Sequence, residues 1–203
     1  MYIIIRVIIG CVFFACTALA IRKSKVMRKR MLYAVFAGVS VLLIAVSALL
    51  PVENLFVTFD SPKSAYAYMC AGESNIALVV EGDDCDFVVD RKNDGDTYLM
   101  IPKTVEGWKI GTGASTRRVV EKLADGIVIY VYQYKDTADY FITVFDTNGG
   151  ELTLSDAQNT KFYSLQQTND FLEQTYTTYY AHIPAINPQY SVTVNGYDIL
   201  LEQ

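Results

Sequence analysis

The chain has 203 residues and a net charge of −5, but that charge is unevenly spread. All 22 acidic residues and 10 of the 17 basic ones follow residue 50, so that part carries −12 while the first 50 residues carry +7. A split of this size excludes one uniform soluble globule, and the acidic part excludes nucleic acid as a partner.

Residues 2–21 hold one charge, Arg6, and residues 31–50 hold none. As a helix, each run would span about 30 Å, the hydrocarbon thickness of a bilayer, and neither shows a polar face. The pattern predicts a two-helix transmembrane hairpin, with Arg6 near enough to an end to snorkel to the headgroups. Ala34 and Gly38 offer a small-xxx-small pair for facing the first helix. Between the runs lies RKSKVMRKR, with Arg22, Lys23, Lys25, Arg28, Lys29 and Arg30. Basic residues beside spanning helices stay on the cytoplasmic side, so these six act as topology determinants and put both chain ends outside the cell membrane. Ala18-Leu19-Ala20 has the positive charge on the wrong side for signal-peptidase cleavage. Ile8-Ile9-Gly10-Cys11 resembles a lipobox with too short an apolar lead. Ala45-Val46-Ser47 before Ala48 does have the right flank, and cleavage there would release the remainder.

Residues 51–203 suffice for a real core. Pro51 ends the second helix, and NLFVTF (54–59) reads as a strand. Ser61-Pro62 opens a short helix, SPKSAYAYMCAG, stopped by Gly72. NIALVVEG and CDFVVDR flank the Gly82-Asp83-Asp84 turn; DTYLMIP and GWKIG follow. TRRVVEKL (116–123) is ambiguous, whereas GIVIYVYQYK and YFITVFDT are strong strands. ELTLS, KFYSL, TYTTYYAHI, YSVTV and YDILL complete the set, with NDFLEQ (169–174) as a helical turn and Asn195-Gly196 as a hairpin signal. The expected fold is α+β and mostly β: a largely antiparallel, β-rich extracytoplasmic domain of about ten strands and one clear helix. Asp125-Gly126 marks where a split in two would fall.

Sites for chemistry are scarce. His182 is the single histidine, so any Ser-His-Asp or Cys-His site would have to use it; its place in a Tyr-rich strand reads as structural. GTGAST (111–116) is not a nucleophile elbow. Scattered cysteines cannot complete a zinc site, and no cofactor is expected. The acidic stretches EGDDCD (81–86), DRKNDGD (90–96) and DTNGGE (146–151) have the composition of tight turns, and the second lacks the ligand pattern of a calcium loop. Tyrosine is abundant, with 13 of 15 after residue 50. Along IVIYVYQY, Ile127, Ile129 and Val131 face one way and Tyr130, Tyr132 and Tyr134 the other, which suits a central strand packed on both sides. A binding face for carbohydrate or peptide is the alternative use of those tyrosines. Cys70 and Cys85, both in an oxidising compartment, are the expected disulfide, while Cys11 and Cys16 lie in lipid and stay free.

Phe59-x-Ser61-Pro62, Val80-Glu81-Gly82 with Phe87-Val88-Val89, and Pro102-Lys103 ahead of Gly107-Trp108-Lys109-Ile110-Gly111 resemble small membrane-anchored extracytoplasmic proteins of Gram-positive, clostridia-like bacteria. The likeness covers residues 56–111. It implies a compartment and no activity. The expected function is a non-catalytic binding module whose partners are the lipid bilayer and another membrane or envelope protein or cell-wall component, with basic partners favoured by the −12 charge. Two alternatives stand beside it: a carboxylate-based hydrolase of the cell envelope, and an accessory subunit acting through its transmembrane hairpin.

Overall fold

The computed structural model describes residues 2–23, 29–49, 51–70, 74–92, 95–112, 116–169 and 174–201. Two long helices come first, α1 (Tyr2–Lys23) and α2 (Lys29–Leu49). They pack antiparallel: Phe13 meets Phe36 at 6.5 Å between ring centres, and the Tyr33 hydroxyl donates to the Ala18 carbonyl at 3.4 Å. Gly10 is the close-approach point, because a Cβ there would lie 2.4 Å from Ile44 Cδ1. The expected Ala34/Gly38 contact is not the one used. Both residues are exposed, and a Cβ on Gly38 would meet open space. Of the six basic topology residues, Lys25 and Arg28 lie outside the described residues, and Arg22, Lys23 and Arg30 are exposed. Lys29 Nζ donates to the Arg22 carbonyl at 3.2 Å, a cation placed on the negative end of α1. Among the described residues one helix, over Lys29–Val46, is long and apolar enough to cross a membrane.

The segment after α2 departs from expectation. In place of a strand at 54–59, Val52–Leu55 forms a 3-10 helix, η1, closed by Phe56 and Val57 N–H groups donating to the Glu53 carbonyl at 2.9 and 2.8 Å. The Asn54 side chain supplies the pairing a strand would have made. Its Nδ2 donates to the Ile110 carbonyl at 3.0 Å, and the Ile110 N–H donates to its Oδ1 at 2.7 Å. Only Phe59 joins strand-fashion, by a bridge to Trp108. Arg6, expected to reach headgroups, is instead buried and paired with Glu53 at 2.8 Å. A charge near a helix end finds its partner in the chain that returns beside it.

Beyond this seam the protein is layered and mostly β. Helix α3 (Pro62–Met69) starts with a capping box in which the Ser61 side chain accepts from the Ser64 N–H at 3.1 Å. An outer sheet follows, order β1-β2-β3-β4, from β1 (Ile76–Glu81), β2 (Cys85–Lys92), β3 (Gly95–Thr104) and β4 (Gly107–Trp108). A middle sheet, order β5-β6-β7-β10-β9, contains β5 (Thr116–Ala124), β6 (Ile127–Tyr134), β7 (Tyr140–Asp146), β9 (Tyr163–Asn169) and β10 (Gln174–Ile183). A small sheet, order β12-β11-β8, is built from β8 (Leu154–Asp156), β11 (Ser191–Val194) and β12 (Tyr197–Leu200). All pairings are antiparallel. The ambiguous stretch 116–123 is a strand, with a bulge between Arg118 and Val120. The NDFLEQ turn falls mainly on residues outside the described ones.

Three apolar clusters separate the layers. Ala65 and Tyr66 of α3 pack on Val88 and Ile101 of the outer sheet. The opposite face of that sheet, with Val80, Cys85, Phe87, Val89 and Met100, meets Tyr132, Tyr134, Phe141 and Tyr180 of the middle sheet. The middle sheet's other face, with Ile129, Val131, Ile142 and Val144, packs on Leu152, Tyr190, Val192 and Val194.

This layering overturns the expected disulfide. Cys70 and Cys85 are both free thiols. Period-2 alternation sends Cys85 with Phe87 and Val89 toward the middle sheet, whereas Cys70 caps α3 on the opposite face of β2. The Asp125-Gly126 point, with φ of 49° and 83°, is the two-residue turn of the β5–β6 hairpin, so a cut there would fall inside the middle sheet. The chain passes from outer to middle sheet earlier, between Trp108 and Thr116.

Phe87 sits at the centre of the inter-sheet layer, 1% exposed, with Tyr98 and Phe141 rings each 5.2 Å away. Phe87→Ala should lower unfolding stability by roughly 3–5 kcal/mol, since no neighbouring layer can close over the cavity. Denaturant unfolding of the full chain in micelles measures it; a loss below about 1 kcal/mol would mean the two sheets are not packed as described.

Candidate functional site

A buried carboxylate that sequence reading passed over joins two sheets. Asp139, at the start of β7 and 1% exposed, accepts from the backbone N–H groups of Asp83, Asp84 and Cys85 at 2.9, 2.6 and 2.8 Å. His182 Nε2 donates to its Oδ1 at 2.8 Å. One side chain of the middle sheet thus holds the β1–β2 turn of the outer sheet and the end of β10 together. Burial pushes the Asp139 carboxyl up, but the His182 hydrogen bond and the three backbone donors outweigh it and hold the group down at about 2. Gly82 is required beside it: a Cβ would come within 2.4 Å of the Cys85 carbonyl oxygen and 2.7 Å of Phe141 Cζ. Asp83, Asp139 and His182 have ligand atoms within 4.8 Å of one another, a metal-like grouping. The Asp139 oxygens, however, are already taken by four donors. The arrangement is a structural clasp. The Cys85 thiol beside it is pushed up by burial first and then by the Asp139 charge, so it is a poor nucleophile.

The other acidic stretches resolve into turn and layer contacts. Asp90 faces α3, accepting from the Tyr66 hydroxyl at 3.1 Å and the Asn75 N–H at 2.5 Å, while Asp96 pairs with Arg91 at 3.4 Å. Asp146 accepts from the Asn148 N–H at 2.8 Å in the turn after β7. Asp86 accepts from Trp108 Nε1 at 2.5 Å, which fixes Trp108 as a packing residue between outer sheet and helix.

The tyrosine face is spent on packing. Tyr132 and Tyr134 are buried and Tyr130 is half-buried, all against the outer sheet. The Tyr98 and Tyr132 hydroxyls bond to each other. Burial pushes the Tyr132 hydroxyl up, and the same holds for Tyr180, whose hydroxyl donates to Asp96 at 3.1 Å. Tyr190 donates to Asp156 at 2.6 Å. Tyr180 and Tyr190 each place a ring in an apolar layer and a hydroxyl on a carboxylate at its edge, a packing use of tyrosine that needs no ligand.

Two open clefts among the described residues are of ligand size. The larger, about 690 Å³, lies where η1 meets the outer sheet and the β6–β7 turn. Pro51, Asn54 and Leu55 form one wall, and Lys103, Lys109 and Lys135 line a space whose one lining carboxylate among the described residues is Asp84. The second, about 500 Å³, lies between the β5–β6 and β11–β12 turns and is acidic, with Asp125, Asp146 and Asp198 beside Lys122. Its carboxylates serve local turns: Asp146 as above, and Asp198 accepting from Thr193 Oγ1 at 2.5 Å. Comparison with known protein families, curated proteins and solved structures finds no match to this chain.

Lys103 and Lys109 entered the sequence reading only within the motifs of the resemblance, and none of the three lysines was read as a site residue, because they are 6 and 26 residues apart along the chain and meet only through the fold. The Asp139–His182 clasp was equally hidden; it depends on β10 pairing with β7, with β8 and β9 between them in the chain.

The clasp has a pH signature. With a folded value of about 2 against about 4 unfolded, Asp139 contributes stability that is complete above about pH 4 and is lost as pH falls through about 2. Asp139→Asn should therefore cost stability at pH 5, by about 2 kcal/mol or more, and cost progressively less toward pH 2.5. Paired unfolding curves at the two pH values check it. An equal cost at both would mean the charge is not what holds the turn.

Proposed function

We propose that the chain is a two-span membrane protein, with both ends outside the cell membrane, whose β-rich body is a non-catalytic binding module. The observation that carries this reading is the seam that fixes a cleft of about 690 Å³ beside the anchor. Arg6 to Glu53 and Asn54 to Ile110 tie both long helices' continuation to the outer sheet, and the same η1 residues form a wall of the cleft. A body meant only to be carried could hang on a loose tether; this one is held in a set orientation.

The membrane part of the reading draws on both helices. Ile8 and Ile9 of α1 are 55% and 58% exposed, and Val41 and Leu42 of α2 are 67% and 61% exposed. Such a density of apolar surface suits lipid and not water. The orientation rests on the basic residues at 22–30. The non-catalytic part is supported by how the reactive groups are used: the histidine and its carboxylate form a clasp, and Cys85 is buried.

Protease treatment of intact cells tests the orientation. Residues 51–203 should be digested while the 22–30 turn is protected, and the opposite pattern reverses the topology. Crosslinking in membranes, with residues 1–50 replaced by an unrelated two-helix anchor, tests the module. Partners should be kept after the exchange; partners lost would assign binding to the helices, and turnover of wall fragments by the purified full chain would replace the binding module by an envelope hydrolase.

A further inference from the structure

We propose that the cleft between η1 and the outer sheet binds a phosphate-bearing polar group presented at the membrane surface. This deepens the binding-module reading and rests on it. Net charge argues the other way, since a body at −12 should repel anions. A bound group, however, responds to the charges within a few ångströms of it, because more distant ones are screened beyond about 8–10 Å in physiological salt. Inside the cleft the balance is inverted, with Lys103, Lys109 and Lys135 against Asp84.

One of these ammonium groups, that of Lys109, is held in place by hydrogen bonds. Lys109 Nζ donates to Thr58 Oγ1 at 2.6 Å and to the Val57 carbonyl at 3.1 Å, which leaves one of its three protons for a ligand. Lys135 Nζ stands over the Tyr134 ring at 5.0 Å. Lys103 and Lys135 are exposed and able to turn toward an incoming group. A volume of about 690 Å³ is in the range of small-ligand sites and takes a phosphorylated headgroup.

Position selects the membrane as the source. Pro51 lies two residues beyond the end of α2, and η1 advances only about 8 Å over its four residues. The headgroup zone adds about 5–8 Å to each side of the hydrocarbon core, so this wall starts at headgroup depth. Its lip is apolar and uncovered: Leu55 is 78% and Phe56 87% exposed, on a turn whose hydrogen bonds are satisfied internally. An apolar lip above a cationic cleft matches a lipid, whose glycerol end stays in the bilayer while its phosphate reaches the lysines. A basic peptide or a metal ion would meet three like charges.

Amine-reactive footprinting of the full chain, read lysine by lysine by mass spectrometry, tests this without interference from the basic 22–30 turn. Three arms are compared: phosphatidylcholine nanodiscs, discs with phosphatidylglycerol, and phosphatidylcholine discs with added glycerol phosphate. Lys103 and Lys135 should be modified at least about fivefold more slowly with phosphatidylglycerol, while Lys63 and Lys161 keep their rates. Protection by glycerol phosphate as well places recognition on the phosphate itself. Protection by glycerol phosphate alone keeps the phosphate site and moves its source to a soluble molecule. Lys103→Gln with Lys135→Gln, both exposed positions, should weaken glycerol phosphate binding at least about tenfold, the loss expected for one charge-assisted hydrogen bond. No protection in either arm, or no weakening in the double variant, overturns the proposal. Failure of the chain to enter the discs would instead overturn the membrane anchor, and the glycerol phosphate arm would still report on the cleft in solution.

Discussion

The centre of the middle sheet has no face left for water, and the rest of the body follows from covering it. One side is aliphatic, with Ile129, Val131, Ile142 and Val144 all at 0% exposure, and the other is aromatic, with Tyr132 and Phe141 at 5% and 1%. Two different surfaces need two different covers. The aliphatic side takes the small three-stranded sheet, whose Val192 and Val194 interdigitate with it. The aromatic side takes the outer sheet, led by Phe87. Covering the outer sheet's own back then requires α3, which is why a single helix of eight residues suffices in a body otherwise made of strands.

Stacking sheets by apolar contact alone leaves their sliding poorly determined, because apolar contact is non-directional. Polar bonds between layers remove that freedom. Asp139 reaches from the middle sheet to three consecutive N–H groups of the outer sheet, and Tyr180 reaches from β10 to Asp96 on β3. On the far side of the outer sheet, Tyr66 of α3 reaches Asp90. Asp90 and Asp96 are the outermost carboxylates of the acidic stretch 90–96, which the sequence reads as a tight turn. Their acceptors are used by the protein itself.

How legible this was depends on whether the signal is local. Turn chemistry read well: Asn195-Gly196 forms the expected two-residue hairpin with φ of 52° and 87°, and the Ser61 cap opens α3. So did the two-faced alternation along β6, since side-chain direction is set by the strand's own period. The segment 54–59 failed because its strand propensity was outweighed by tertiary bonds, with Asn54 spending its amide on Ile110, 56 residues away. The disulfide failed because proximity in sequence said nothing about which face of β2 each cysteine would occupy. Arg6 failed for a related reason: its partner, Glu53, is brought beside it only when α1 and α2 pack. The lysine cleft was beyond reach of any local pattern, for its three cations come from β3, the segment after β4 and the β6–β7 turn.

The seam between helices and body gives those three cations a meaning that their number alone does not. Lysines scattered on an acidic surface are ordinary, and three facing a common space would be unremarked on a freely tumbling domain. Here Lys109 is itself part of the seam, bonded to the Val57 carbonyl and Thr58 hydroxyl, in the same stretch where Phe59 bridges Trp108. The residue that fastens the outer sheet's end to the turn after η1 thus also lines the cleft. Any group that binds there adds a contact between outer sheet and η1, across the bonds that set the body's attitude to the anchor. On the proposed reading, occupancy and orientation would be coupled through shared atoms: a ligand that prefers the seam closed would stabilise the body against the helices, and loosening the seam would weaken the ligand by the same free energy.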